Sequence, residues 1–576
     1  MSPERFHVII AGAGPAGCVL ASRLSENAET KVLLLDQGPD VVVPGAEHPD
    51  VVDSFALMAS NNTTFHWPGL TAHIGGDQSA RSTSPYIQGY GVGGASNING
   101  MGVDRGQPGD YSEWCALGAR GWNWNQVLPH FKAIEHDLDF STSEPDSMHG
   151  CCGPMPVMRL RRPYWAPFAT AFGQAVESRG FPFIEDYTAD FREGFSAAPL
   201  NCLSDRRISA AMGYLTRVVR SRPNLTIMPN TRVDRLSLDG KRVTGLYADR
   251  SGQSYHIVGN EVILSCGAIG SPAVLLRSGI GPAKTIRRHG ISVVHDLPGV
   301  GANLQNHPCV ILTTYLRAHA AQARADRLLL QNWLRFSSGR PDCPSCDMHL
   351  MPFNRCDWHS LGGRIGALTV SVLKSYSKGH VDLASSDPFL PPTVHFNMLS
   401  ERRDDERLVD GVRFALELLC DPIVAKTRHE IFIPSPRVIA SIRDRTPWNR
   451  MKVTALSSVL EFSPLRCALP VDARVDPNML RSDREALRDF VHRHVQPQYH
   501  ACGTCRMGAD EDPNVVVDGT GRVRGIAALR VVDSSIFPVI PRGYPHFVVL
   551  MVAEKIAATV CDVASNGVSS LADPKR

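Results

Sequence analysis

The fold is first legible in His7-Val-Ile-Ile-Ala11-Gly12-Ala-Gly14-Pro-Ala-Gly17. His7 to Ala11 reads as a short apolar strand. The residues after Gly14 read as a helix with Ala16, Leu20 and Leu24 on one face, Gly17 and Ala21 beside them, and Ser22, Arg23 and Glu26 pointing away. Lys31-Val-Leu-Leu-Leu35 is a second strand, apolar throughout, as a strand covered on both faces should be. The glycines of this G-x-G-x-x-G turn permit a tight bend, close approach of a pyrophosphate and close packing of helix on strand, and the helix N-terminus then faces the phosphates. Asp36 follows at about 20 residues, where a carboxylate can accept hydrogen bonds from ribose hydroxyls. The pattern predicts a dinucleotide-binding unit without saying which dinucleotide.

Further strands of the same kind lie far downstream. Val262-Ile-Leu-Ser265 runs into Cys266-Gly267, and Leu529-Arg-Val-Val532 ends at Asp533, so the unit is expected to be assembled from separated stretches. Between them the chain is more irregular, punctuated at Pro341, Pro344 and Pro391-Pro392, with a helical run from about Glu401 to Leu419. Ser482-Asp-Arg-Glu485 reads as a capping box that opens a helix running to about His494. At 576 residues the chain exceeds what one hydrophobic core usually organises. We expect residues 1–150, 195–310 and 481–576 to form one discontinuous domain and residues 151–194 and 311–480 a second, inserted one.

Composition removes several classes of function. Lysine and arginine number 60 against 57 acidic residues, and no basic run alternates with aromatics, so a nucleic-acid partner is not expected. No apolar run approaches the roughly 18 residues of a membrane span, and the N-terminus lacks the apolar core of a signal peptide, which points to the cytoplasm. The 15 cysteines then read as reduced thiols. Cys343/Cys346 and Cys502/Cys505 have zinc-like spacing, but the second pair lies in a better-explained motif, and no metal is expected. The adjacent Cys151 and Cys152 have no role legible in the sequence. Ala572 to Arg576 reads as a short frayed tail.

Four ordered segments carry a resemblance that spans nearly the whole chain. Gly89-Tyr-Gly-Val-Gly-Gly-Ala-Ser-Asn-Ile-Asn-Gly-Met101, Gly267-Ala-Ile-Gly-Ser-Pro-Ala-Val-Leu-Leu-Arg-Ser-Gly-Ile-Gly281, His500-Ala-Cys-Gly-Thr-Cys-Arg-Met-Gly508 and Leu529-Arg-Val-Val-Asp-Ser-Ser-Ile-Phe-Pro538 resemble the signatures of the glucose-methanol-choline (GMC) oxidoreductases. The resemblance implies an α/β (α+β overall) fold. A Rossmann-like FAD-binding domain would carry an inserted substrate-binding domain built on an antiparallel sheet with helices. It implies that Gly12, Gly14, Pro15, Ala16, Gly17, Asp36 and Gln37 hold the ADP half of FAD, with Val233 by the adenine. Val92, Asn97, Asn99, Gly100 and Met101 would line the flavin ring, Asp533 and Ser534 would contact the pyrophosphate or ribityl region, and Phe547 would lie at the ring beside the final helix. Three departures matter. Tyr90 stands where the family usually has a cation, which should weaken FAD retention. Asn306 replaces the usual aspartate in Asn303-Leu-Gln-Asn-His307. Ile98 stands where some members attach the flavin through a histidine, so the FAD should be non-covalent.

Oxidising an alcohol requires removing a hydroxyl proton as hydride leaves the same carbon, and histidine suits the proton step because its ordinary pKa, about 6.5, lies near working pH. The resemblance implies that His500 is this base, that His546 orients the substrate oxygen, and that Tyr499 walls the substrate site, although Tyr499 reads equally as a packing residue. Pro545, His546 and Phe547 open a final helix whose N-terminal amides would favour negative charge developing on the flavin. The pattern is closest to hydroxymethylfurfural-type and aryl-alcohol oxidases. A primary hydroxymethyl group on a small aryl or furanic ring would be oxidised, and because a hydrated aldehyde presents a similar carbinol the resemblance also allows a second oxidation to the acid, with O2 or another electron acceptor completing the cycle. A choline-dehydrogenase-like enzyme using a quinone, and a hydroxynitrile lyase or photodecarboxylase on the same scaffold, stay open. The oligomeric state is not legible.

Overall fold

The computed structural model describes residues 5–75, 83–140, 147–322 and 327–569. The Ala572–Arg576 tail lies outside the described residues. Strand β1 (Arg5–Ala11) runs parallel between β2 (Val32–Leu35) and β6 (Gln253–Leu264), with Ala11 level with both Leu35 and Leu264. β3 (Leu225–Met228) extends the sheet beyond β2, β4 (Arg232–Asp239) and β5 (Arg242–Arg250) extend it beyond β6, and β7 (Leu529–Val531) adds to β6 in parallel. All four residues of β2 are buried, which is why its sequence does not alternate.

Helix α1 (Pro15–Leu24) corrects one expectation. Ser22 does not point to solvent but is buried, because α1 packs against the C-terminal helix Pro545–Ser569 and against Ala210–Tyr214 as well as the sheet. The Ser22 carbonyl accepts from Arg222 Nη1 at 2.6 Å, so its polar backbone edge is satisfied inside.

The second layer is an eight-stranded sheet in which every paired neighbour is antiparallel. Its centre is Pro308–Leu316, Ile365–Val372 and Met348–Phe353, and the helix Arg402–Cys420 packs across it, where Gly411 lets Met348 and Val370 approach. Residues 195–197, assigned from sequence to the first domain, pair instead, together with Gly194, with Asn332–Phe336 at the edge of this second sheet. The helix Arg484–His494 also belongs with it, packing on Arg402–Cys420. That helix is capped by Asp483, whose carboxylate accepts from the amides of Glu485 and Ala486, while Ser482 ends the preceding helix. Both residues can cap, and the acid one position closer to the helix takes the role.

Candidate active site

One cavity of about 960 Å³ runs from the glycine turn to the second sheet. At its nucleotide end, Gly12 adopts φ +101°, and a Cβ there would overlap the Ser265 carbonyl; a Cβ on Gly17 would overlap Gly12. These two glycines are demanded by the chain's own packing. Gly14 is different, since the nearest atom to a Cβ would be 3.9 Å away, so its openness serves whatever fills the cavity. Gly14 is also the N-cap of α1 and supplies no side chain to the first amides of the helix, leaving them for an anion. The Asp36 carboxylate accepts from Ala13 N and Gly38 N, both at 2.9 Å, and burial pushes its pKa up to about 6. Glycine turn, helix N-terminus and cavity-lining carboxylate fit the ADP half of FAD.

Tyr90, the departure noted above, donates its hydroxyl to the Gln37 carbonyl at 3.0 Å, holding the loop after β2. Cations reach this end from elsewhere: Arg232 and Arg277 line the cavity beside Val233, with Arg232 lying 3.4 Å over the Phe389 ring. Their place in the chain gives no sequence signal of this role.

Toward the middle, Asp533 lines the cavity with both oxygens engaged: one accepts from Gly267 N (2.9 Å) and Ser271 Oγ (2.6 Å), the other from Ser535 N (2.7 Å). It therefore fixes the start of the helix Gly267–Arg277. Ser534 donates to the Ala501 carbonyl at 2.9 Å and accepts through its own carbonyl from Gly503 N, which stitches the His500 loop to this segment. Behind Asn99 lies Arg207, a fully buried guanidinium whose acceptors are neutral: Asn99 Oδ1 at 2.7 Å and the carbonyls of Ser96 and Ala56. A buried cation without an ion pair is costly. Burial lowers its pKa only to about 10, so it stays charged and sets a positive field beside His546.

At the far end the geometry dictates a protonation state. His307 Nε2 lies 3.1 Å from the Pro541 carbonyl, and His307 Nδ1 lies 2.9 Å from His500 Nδ1. A carbonyl only accepts, so His307 Nε2 carries the hydrogen. Burial holds the pKa of His307 down to about 4, so the ring is neutral near pH 7 and its Nδ1 is bare. His500 must then donate through Nδ1–H, which leaves the lone pair on His500 Nε2. Burial, followed by the nearby His307, holds the His500 pKa well below the usual histidine value. The His500 amide donates to Asn306 Oδ1 at 3.0 Å, so the asparagine that replaces the family's aspartate anchors the base's backbone without adding charge. His546 opens the last helix, its Nε2 is buried without a partner, and burial with Arg207 lowers its pKa to about 4.

The structure brings Gly12, Gly14, Pro15, Ala16, Asp36, Gln37, Asn99, Gly100, Met101, Val233, Tyr499, His500, Asp533, Ser534 and His546 to this one cavity. Gly17, Val92, Asn97 and Phe547 stand behind its wall. Gly17 and Phe547 pack, and Asn97 Nδ2 donates to the Val92 carbonyl at 2.8 Å to brace the loop. Met101 and Tyr499 both take φ +63°, uncommon for residues with a side chain and often found where a site fixes the backbone. Sequence reasoning missed His307, Arg207 and Tyr544, whose ring lies 4.9 Å from that of His500. Cys502 and Cys505 are buried within the His500 loop. Among the described residues, the three ligand-type side chains that converge are Glu135, Asp137 and His149. These are held by Arg105 and Arg159 in a buried ion network.

Comparison with known proteins accords with this geometry. Residues 6–309 and 375–553 match the N-terminal and C-terminal parts of the GMC oxidoreductases. The chain is 36% identical over 574 residues to a 5-(hydroxymethyl)furfural oxidase of Methylovorus sp. (strain MP688), covering 97% of this chain and 99% of that one. It is 32% identical to an oxygen-dependent choline dehydrogenase of Brucella anthropi, covering 95% and 94% of the two chains. Among solved structures, pyridoxine 4-oxidase from Mesorbium loti superposes with a TM-score of 0.80 at 27% identity, covering 96% of this chain and 99% of that one. The chain belongs to the GMC oxidoreductase family, and it is an FAD-binding enzyme of that family.

Proposed function

We propose that the enzyme oxidises a small primary alcohol with non-covalently bound FAD, that His500 takes the hydroxyl proton at Nε2, and that O2 reoxidises the cofactor to give H2O2. The observation that carries the reading is the Pro541 carbonyl–His307–His500 chain, which leaves the lone pair of His500 Nε2 free to accept a proton at the cavity. FAD supplies the hydride acceptor. His500 Nε2 accepts the hydroxyl proton, and the resulting imidazolium keeps its Nδ1–H on His307, whose ring is in turn polarised by the Pro541 carbonyl. His546, with its unpartnered Nε2, can hydrogen-bond and orient the same oxygen. The buried Arg207 and the start of the final helix favour negative charge accumulating between them.

Ile98, at the position where some relatives carry the attaching histidine, has no nucleophile. Release of all flavin on denaturation is therefore expected, and flavin retained by the unfolded chain would contradict it. The 15 cysteines, read as reduced thiols, favour a cytoplasmic location; among the described residues no helix is long and apolar enough to cross a membrane.

The lining also speaks to substrate. Ile311, Leu330, Met351 and Phe353 make an apolar slot, into which Thr369 brings a buried hydroxyl without a partner. The carboxylates among the lining residues, Asp36, Asp249 and Asp533, come from the first sheet and its loops, whereas the second-sheet side carries Arg443. Among the described lining residues a quaternary ammonium would find no counter-charge there, so we favour a neutral ring alcohol with a second oxygen for Thr369. The test is anaerobic flavin reduction across benzylic, furanic, aliphatic and quaternary-ammonium alcohols, followed by readmission of air. Bleaching by ring alcohols with stoichiometric H2O2 supports the reading. Bleaching by choline alone, or reoxidation only by a quinone, overturns it.

A further inference from the structure

The adjacent cysteines form a built feature. In the turn His149-Gly-Cys-Cys-Gly153, Cys151 Sγ and Cys152 Sγ lie 3.3 Å apart; Cys152 is exposed and Cys151 half-buried.

Both flanks of the dipeptide are clamped. Asp137 N donates to the Gly150 carbonyl and Gly153 N donates to the Glu135 carbonyl, both at 2.9 Å. A Cβ on Gly150 would overlap the Lys132 carbonyl, and one on Gly153 would overlap Ile134, so the turn sits tightly on the end of the helix Trp124–Ile134. His149 anchors the entry, reaching Glu135 Oε1 at 3.0 Å through Nδ1 and Asp186 Oδ2 at 2.7 Å through Nε2. With little freedom left in the backbone, the two sulfurs are held within reach of each other before any reaction, which lowers the entropic cost of joining them.

We propose that Cys151 and Cys152 form a reversible two-electron redox site that closes to a vicinal disulfide under hydroperoxides. The exposed Cys152, once its thiol gives up its proton, attacks the peroxide O–O bond, forming a sulfenic acid and releasing water or an alcohol. Cys151 then attacks that sulfur, the S–S bond forms, and the sulfenic oxygen leaves as a second water. Two thiols and one hydroperoxide thus give one disulfide, one water and one water or alcohol. Neighbouring Cα atoms lie about 3.8 Å apart, closer than the roughly 4.4 Å lower bound of ordinary disulfides. The bond is therefore strained and readily reopened by a dithiol. H2O2 formed by an oxidase would be one source of the oxidant, but the site does not depend on that reading and is tested without turnover.

The holoenzyme is treated with H2O2, denatured, alkylated and mapped by peptide mass, with a parallel titration by phenylarsine oxide, a probe for paired thiols. Expected are loss of both thiols as an internal disulfide in the peptide carrying Cys151 and Cys152, recovery by dithiothreitol, and one arsenical bound per chain. The C151S/C152S double variant should lose the arsenical stoichiometry while keeping its FAD absorbance. Peroxide that drives Cys152 to sulfinic or sulfonic acid with Cys151 still free overturns the proposal. So does arsenical binding that persists in the double variant. Because the peptide map uses the wild-type chain, the answer stands even if the variants fold poorly.

Discussion

The two ends of the cavity meet the same physical condition with opposite results. Burial raises Asp36 from 3.8 to about 6 and lowers His307 and His546 from 6.5 to about 4, because both shifts disfavour charge. At the nucleotide end the carboxylate's charge is wanted, and two backbone amides limit the loss. At the chemical end neutrality is wanted, since a protonated histidine cannot take a proton. As pH falls, this enzyme should therefore lose its hold on cofactor before it loses its base.

The sharpest way to break the nucleotide end alone is Gly12→Val. Its side chain would enter the Ser265 carbonyl, and purified protein is expected to carry no flavin and to show no turnover; a yellow, active variant would refute the steric account. At the chemical end, His307→Leu removes the acceptor for His500 Nδ1–H. We expect a drop of about 10²-fold in the rate of flavin reduction with FAD retained. His307→Gln, whose amide can both donate to Pro541 and accept from His500, should recover part of it, and equal losses in the two variants would mean that His307 only packs.

Acidification compares the ends within one molecule. Asp36 must be ionised to accept from both ribose hydroxyls, and its raised pKa means it protonates as pH falls through about 6. FAD affinity of the apoprotein should then weaken by up to about tenfold per unit below that point. His307 and His546 stay neutral until pH falls toward about 4, and burial holds His500 well below the usual histidine value, so reduction of FAD already bound should be nearly constant from neutral pH downward past the ordinary histidine value. A reduction rate that halves near an ordinary histidine pKa would contradict the assignment of His500 as a buried neutral base. The smallest effect is Thr369→Val. Losing one hydrogen bond worth about 1 kcal/mol should lower, by about fivefold, the kcat/KM ratio of a ring alcohol bearing a second oxygen to its methyl analogue. An unchanged ratio removes Thr369 from substrate recognition.

The comparison also explains what the sequence could reveal. The nucleotide end is written in one stretch, because a strand, a glycine turn and a helix are successive in the chain and Asp36 closes the unit. The residues behind His500 are not. His307 lies 193 positions away, and it reaches the base because Pro308–Cys309 pairs with Gln496–Pro497 across the second sheet. Nothing local in Asn303-Leu-Gln-Asn-His307 encodes that contact. Ser22 is buried against expectation for a related reason: helical periodicity shows one apolar face, and the second burying surface comes from a helix more than five hundred residues downstream. Gly194–Ala197 could not be assigned to a sheet from four residues whose hydrogen-bond partners lie at 332–335. The FAD motifs were legible because family resemblance supplied the context that spacing alone lacks.

The most direct test of the central claim is anaerobic stopped-flow reduction of the FAD-loaded His500→Ala variant by the best ring alcohol. The account predicts full flavin content with reduction slowed about 10³-fold or more. Bleaching at a rate near that of the wild type, with flavin content unchanged, would contradict it.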